Sequence, residues 1–182
     1  AELAIVADQL SKKIFPAIGE IGLDFYWDKT FVSQQQLAFN TQMQWALDFN
    51  LPIVIHTRNA MGETIEAVKP FAKKGLRGIF HCFSGSKESA EQIISMGFHL
   101  GLGGVLTYKN AGVAEAIKDI PMEWLVLETD APYLSPVPYR GKKNEPAFII
   151  EVAKKLAEIK NMPLHEVAEM TTRNAVKVLG EW

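Results

Sequence analysis

The chain has 182 residues, 48% of them hydrophobic and 22% charged, with a formal net charge of −2. That length supports one domain with a sizeable core. The near-neutral balance gives no global basic field for coating nucleic acid, yet leaves room for an enzyme whose cleft is basic only locally or takes its positive charge from metal ions. Cys82 is the only cysteine, which excludes an internal disulfide and a cysteine-rich zinc site and fits a reducing, cytoplasmic setting. No stretch approaches the ~20 apolar residues of a membrane span. Residues 1–13 mix Glu2, Asp8 and two lysines into their apolar pattern, unlike a signal peptide.

Residues 1–13 place Leu3, Val6, Ala7 and Leu10 at helical spacing and predict an amphipathic helix. Residues 16–24 read as a strand entering a loop. A long helix is predicted over 31–49, with Leu37, Met43 and Leu47 among its buried positions. Residues 51–56 form a strand led by Pro52, at a position that tolerates proline. A helix over 63–74 follows, and Pro70 argues against its second half. Residues 77–83 are a strand. Residues 87–96 are a helix, with Ser86 as its N-cap and Gly97 as its stop. A strand over 98–103, a short helix over 112–120 and a strand over 124–129 come next. Residues 146–160 predict a helix with Pro146 in its permitted first turn, and 163–170 and 173–179 two closing helices.

Five apolar strands thus alternate with helices and no hairpin signal separates them, which predicts a parallel sheet covered on both faces. The fold class is α/β. Chemistry-bearing residues on many strand ends favour a barrel over an open sheet, because closure brings them to one point. The whole chain, residues 1–182, is expected to be one α/β domain.

Four of the strand regions end in a metal-type side chain. Trp124 to Leu127 runs into Glu128-Thr129-Asp130 and a proline stop, and Ala17-Ile18-Gly19-Glu20, Ile53-Val54-Ile55-His56 and Gly78-Ile79-Phe80-His81 end likewise. Glu20, His56, His81 and Asp130 are the donors a hydrolytic divalent-metal site needs. Singly, a strand-end histidine is more often a hydrogen-bonded structural residue, and Asp130 before Ala-Pro is good turn chemistry. Glu128 shares a strand face with Asp130 by period two, and is expected to support the ligands from behind. Arg58 and Arg140 suit phosphate through their guanidinium forks, with an ordinary ion pair as the plainer role. Ser84 and its neighbouring glycines offer backbone N–H groups to an anion. Asp24 ends a loop beside this region. His99 and His165 read as surface or structural, and Cys82 as pointing away from His81 into packing. Gly101-Leu102-Gly103-Gly104 lacks the spacing and lysine of a phosphate loop, so close packing explains it better.

Ala17-Ile18-Gly19-Glu20-Ile21-Gly22-Leu23-Asp24, Ile55-His56-Thr57-Arg58, His81-Cys82-Phe83-Ser84-Gly85 and Glu128-Thr129-Asp130-Ala131-Pro132-Tyr133, in this order, resemble the TatD family of metal-dependent deoxyribonucleases. Arg140-Gly141-Lys142-Lys143-Asn144-Glu145-Pro146 fits the same pattern. The resemblance implies a partial (β/α)8 TIM-type barrel of the amidohydrolase-like superfamily, with about five of the eight βα units present. It implies divalent metal ions (magnesium, manganese or zinc) and hydrolysis of DNA phosphodiesters, with Glu20, His56, His81 and Asp130 as metal ligands and Glu20 and Asp130 catalytic. The family's opening His-x-His pair has no counterpart among the four histidines here. The chain therefore resembles the C-terminal portion of the barrel, a truncated form with one metal site missing and impaired activity. A catalytically inactive remnant with a structural or interaction role is the alternative, and a related amidohydrolase acting on a small ester or lactone a third reading. An open barrel wall would also invite a second copy of the chain as its cover.

Overall fold

The computed structural model describes residues 2–180; Ala1, Glu181 and Trp182, including the first residue of the predicted opening helix, lie outside the described residues. The elements follow in the order α1 (Glu2–Lys12), β1 (Ile18–Asp24), α2 (Val32–Asp48), β2 (Ile53–Arg58), α3 (Met61–Ala72), β3 (Gly78–Phe80), α4 (Lys87–Ser95), β4 (His99–Leu102), α5 (Val113–Ala116), β5 (Leu125–Leu127), α6 (Ile149–Lys160) and α7 (Leu164–Leu179). The strands form one sheet in the order β1-β2-β3-β4-β5, every pairing parallel. Chain order and sheet order coincide, so each helix crosses over in the same sense. That winding is the winding of a barrel wall, with no reversal of strand order as in a doubly wound sheet. The described strands do not close: β1 and β5 each pair on one side only.

Register and alternation sort the side chains. Ile55, Phe80, Leu100 and Leu125 are cross-strand partners and share one face with Ile53 and Leu102. They are fully buried with Phe39 and Met43 of α2, Val68 of α3 and Ile93 of α4. The opposite face presents Val54, Ile79, His99, Gly101 and Val126. Part of it is covered by α7, whose Val178 packs on Ile79 and Val126. Asn174 ties that helix down by donating to the carbonyls of Met122 (2.7 Å) and Leu125 (2.8 Å) at the entry to β5. Apolar clefts remain at both sheet edges. One of about 330 Å³ lies beside α1 and β1, and one of about 400 Å³ between α6, α7 and β5.

Several expectations need correction. Leu37 is 65% exposed; the buried residues of α2 are Phe39, Met43 and Ala46. Leu37 lies two positions from Phe39, which at ~100° per residue puts it on the far side of the helix. The helix at Pro70 does not fail: α3 continues to Ala72. Glu66 and Pro70 are both exposed, so the carbonyl freed by the missing N–H faces water, while buried Thr64, Ile65 and Val68 hold the helix to the core. The two closing helices are one. Thr171 sits inside α7, its hydroxyl bonded to the Val167 carbonyl (2.8 Å), so the β-branched pair at 171–172 makes no break. The helix over 112–120 contracts to α5, and the Lys160 ammonium closes the turns after it by donating to the carbonyls of Ile117, Lys118 and Ile120. The Ser86 cap is present, its hydroxyl accepting from the Ser89 N–H, and Gly97 takes φ 84° beyond the C-cap. No described helix is long and apolar enough to cross a membrane.

His99 is structural, 4% exposed beside the Trp124 ring, with neither ring nitrogen hydrogen-bonded. Burial pushes its pKa below 6.5 and the Lys177 charge adds to this; an approach to the Glu123 backbone too loose to be a hydrogen bond offsets only part. The unfolded chain therefore takes up a proton below pH 6.5 that the folded chain refuses. Stability from this residue is intact above pH 6.5 and falls as pH drops through that value toward the lowered folded pKa. Urea melts at pH 8 and pH 5.5 should show a smaller acid loss for His99→Phe than for the unaltered chain. An equal loss in both would remove His99 from the account.

Candidate metal centre

The pairing of β1 with β2 sets the first two donors. Its register slips between Ile18 and Ile21, a bulge that contains Glu20 and shifts by one residue the alternation begun at Ile18. Gly22 then lies opposite His56 at φ 155°. A Cβ there would stand 1.8 Å from the His56 carbonyl oxygen, so glycine is what lets the strands meet at the site. Two residues on, Asp24 faces its register partner Arg58. His81 follows β3 directly, its N–H donating to the Ile55 carbonyl at 2.9 Å. Asp130 follows β5 at φ 56°, and the Tyr133 N–H closes a turn on its carbonyl.

These side chains converge. Glu20, His56 and His81 offer ligand atoms that all lie within 4.8 Å of one another. His56 Nδ1 is 3.8 Å from one Glu20 oxygen, and His81 Nε2 is 3.7 Å from the other. Asp130 Oδ1 is 3.5 Å from His81 Nε2. They line a cleft of about 610 Å³ together with Thr57, Arg58, Cys82, Ser84, Val105, Tyr133 and Leu134.

Each imidazole is also held from behind. His81 Nδ1 lies 3.0 Å from Glu128 Oε1, and His56 Nε2 lies 3.1 Å from Asp24 Oδ2. With those nitrogens protonated and donating, the other nitrogen of each ring turns a free lone pair toward Glu20. That is how a metal-binding histidine is oriented, its second nitrogen on a carboxylate. Glu128 is fixed in turn by accepting from the Cys82 N–H at 2.6 Å. A Cβ on Gly101 would reach 2.3 Å from Glu128 Oε2, so the glycine run makes room for this carboxylate and is no phosphate loop. Glu128 thus meets one ring nitrogen of His81 while the other faces Glu20.

The electrostatics are those of crowded carboxylates. Burial raises the Asp130 pKa; the His81 charge opposes this, while Glu128 and Glu20 add to it. Burial alone would lower the His81 pKa, but the hydrogen bond to Glu128 and the charges of Glu128, Glu20 and Asp130 outweigh it and raise it. Burial against Asp24 is overcome by its bonds from Arg58, the Tyr26 N–H and His56, which bring its pKa down to about 2. Three carboxylates beside two imidazoles leave negative charge that a cation would offset, and the mixed nitrogen and oxygen donors suit zinc, manganese or iron.

The remaining residues divide. Ser84 lines the cleft. Arg58 lines it too, while its Nε and Nη2 grip Asp24 (Nη2 to Oδ2 2.7 Å), so the ion pair and the cleft share this side chain. Arg140 stands outside the cleft: its guanidinium lies 3.9 Å over the Tyr108 ring, in an adjoining hollow with Lys109 and Asn110. Cys82 corrects its expectation. It faces the cleft, its sulfur within 4.8 Å of donor atoms of His81 and Glu128, because φ 46° just past β3 takes it out of strand alternation. Burial and the three carboxylates push its thiol up to about 12, so it stays protonated. His165 is exposed on α7. Two contributors escaped the sequence reading. Asp24 was placed beside the site without a role, although the two-residue step from Gly22 puts it on the His56 face. Asn144 gave no local signal; it is 3% exposed and donates to the Thr129 and Tyr133 carbonyls (2.6 Å each), which pins the loop carrying Asp130.

A family model described as TatD related DNase matches residues 2–180. A protein of Bacillus subtilis (strain 168) named uncharacterized metal-dependent hydrolase YabD is 41% identical over 178 residues, 97% of this chain and 70% of its own length. A protein of Pantoea ananatis named 3'-5' ssDNA/RNA exonuclease TatD is 34% identical, with 93% of this chain and 67% of its own covered. The crystal structure of the TatD homologue YjjV from Escherichia coli K12 superposes with a TM-score of 0.92 at 28% identity, covering 99% of this chain and 70% of that one. Across the curated relatives the chain spans between 60% and 70% of their length.

Removing the carboxylate behind His81 tests the arrangement. Glu128→Ala frees the ring and leaves the Cys82 N–H unpaired, and zinc or manganese affinity measured by calorimetry should fall about 10- to 100-fold. Unchanged affinity would mean that Glu128 does not orient His81 toward a cation.

Proposed function

We propose, for a chain that belongs to the TatD related DNase family, that Glu20, His56, His81 and Asp130 hold a divalent cation and that the site hydrolyses phosphodiester bonds of DNA. The observation that supports this most is the double arrangement of the histidines, each with one nitrogen on a carboxylate and the other turned to Glu20. A structural histidine needs one such partner; two rings that turn their second nitrogen to the same carboxylate form an arrangement that a cation between them would complete.

A divalent ion here would lower the pKa of a bound water toward ~7 and draw charge from the phosphoryl oxygens. The protein's own groups do the rest. Asp130, with its raised pKa, is suited to accept the proton of the attacking water. Glu20 offers two oxygens and can serve both histidine sides of the cleft. Arg58 and Ser84 face the cleft, where a scissile phosphate would sit. Arg140, one hollow away with Lys109, is read as a grip on a flanking phosphate. His99 and His165 lie away from the cluster, so these residues provide for one cation, and the reading includes slower hydrolysis than a two-cation site gives. We read residues 1–182 as one α/β domain, since one apolar cluster links Leu10 to Val167. The apolar clefts at both sheet edges support association with a second copy of this chain.

Calorimetric titration at neutral pH should show uptake of one zinc or manganese ion. A single-stranded oligonucleotide should be cut with that ion and not with chelator. His81→Ala should lower both ion affinity and cleavage by at least about 100-fold. Failure of the unaltered chain to take up any divalent ion at neutral pH would end this reading.

A further inference from the structure

The loop after β1 carries aromatic surface that the core does not use. Tyr26, Trp27 and Phe31 are 53%, 79% and 56% exposed. Tyr26 and Trp27 meet edge to face at 4.6 Å, and the Arg58 guanidinium lies 4.7 Å from one ring centre and 5.6 Å from the other. The loop is held in place: the Phe25 N–H donates to the Arg58 carbonyl (2.9 Å), the Tyr26 N–H to Asp24 (3.0 Å) and the Thr30 N–H to Asp28 (2.7 Å). Arg58 itself is fixed by Asp24 and lines the cleft of the metal centre. The aromatic cluster and the cleft therefore share one rigid side chain. On the cleft's Asp130 side, Tyr133 is 71% exposed.

We propose that Tyr26, Trp27 and Arg58 form a platform on which an unpaired nucleobase of single-stranded nucleic acid stacks while its neighbouring phosphate enters the cleft. The inference rests on the phosphodiesterase reading and adds to it the residues that hold a base beside the cleft. A nucleotide is a flat π surface joined to an anion a few ångströms away. Here an exposed ring pair with a cation against it adjoins a cleft suited to a phosphate. Every base has a π face, so such a platform tolerates any sequence. A duplex keeps its bases stacked on one another and cannot present one to Trp27 without unstacking.

The test compares strands with and without bases. A fluorescein-labelled hexathymidylate with phosphorothioate linkages, bound in Mg²⁺ buffer and followed by polarisation, should bind more tightly than an abasic strand of equal length and charge. Trp27→Ala should lose about tenfold on hexathymidylate, the weak end of what one stacked base contributes. It should lose much less on the abasic strand, and Trp27→Phe should keep most of the preference. A hairpin duplex should bind no better than the abasic strand. Equal affinity of the unaltered chain for both strands overturns the platform, as does an undiminished preference in Trp27→Ala. The nuclease reading fails separately, by absence of His81-dependent ion uptake and cleavage.

Discussion

Glu128 stands where three demands meet. It is the acceptor for His81 Nδ1, the acceptor for the Cys82 N–H, and the occupant of the space left by the missing side chain of Gly101. A carboxylate only 19% exposed is costly unless its oxygens are bonded. Here Oε1 accepts from both partners, so the charge is kept and the imidazole loses its freedom to turn. The orientation of His81 Nε2 toward Glu20 and Asp130 follows from that bond. On the other side of the cleft Asp24 does the same for His56, with Arg58 as its counter-ion.

The two supports are electrically different. Asp24 is paired to a guanidinium and its pKa is brought down to about 2, so that side remains an ion pair across ordinary pH. Glu128 has only a histidine and a backbone N–H against it, and Glu20 and Asp130 lie close by. Burial is the main cause of the upward shift at Asp130, with Glu128 and Glu20 adding to it, whereas at His81 the bond to Glu128 and the neighbouring carboxylate charges overcome burial. A fold that assembles like charges in this way gives up stability locally. The large buried residues of the opposite sheet face, Phe80, Phe98, Leu100 and Leu102 among them, supply the compensating burial.

Much of this was legible along the chain. Apolar runs ending in Glu20, His56, His81 and Asp130 pointed to the cleft these residues line, although β1 and β2 continue past Glu20 and His56 to Asp24 and Arg58. Period two placed Glu128 behind the donors, and Ser86 and Gly97 bounded α4 by capping chemistry alone. The failures share a physical cause. Leu37 and Pro70 were judged by residue type, whereas helix phase and exposure decide them. Strand alternation does not apply to Cys82, two residues after the strand has ended, and a positive φ turns it into the cleft. Asn144 acts through carbonyls 11 and 15 residues away, and no local pattern announces a side chain whose partners are defined only by the folded loop.

The bulge at Glu20 ties sequence to site most closely. Without the register slip between Ile18 and Ile21, strict alternation from Ile18 would carry Glu20 onto the buried face; with it, Ile21 and Leu23 take that face and Glu20 stands on the side of Gly22 and Asp24. The slip adds chain where β1 runs alongside Val54, and Gly22 restores close pairing beyond it by admitting the His56 carbonyl where a Cβ would clash. Gly19, Glu20 and Gly22 thus act together: one glycine on each side gives the backbone freedom to depart from the ladder and rejoin it. The carboxylate between them is delivered to the point both imidazoles face. A glycine-flanked acid within β1 is therefore a statement about backbone geometry first, and becomes a statement about chemistry only because His56 and His81 arrive at the same height on β2 and just beyond β3.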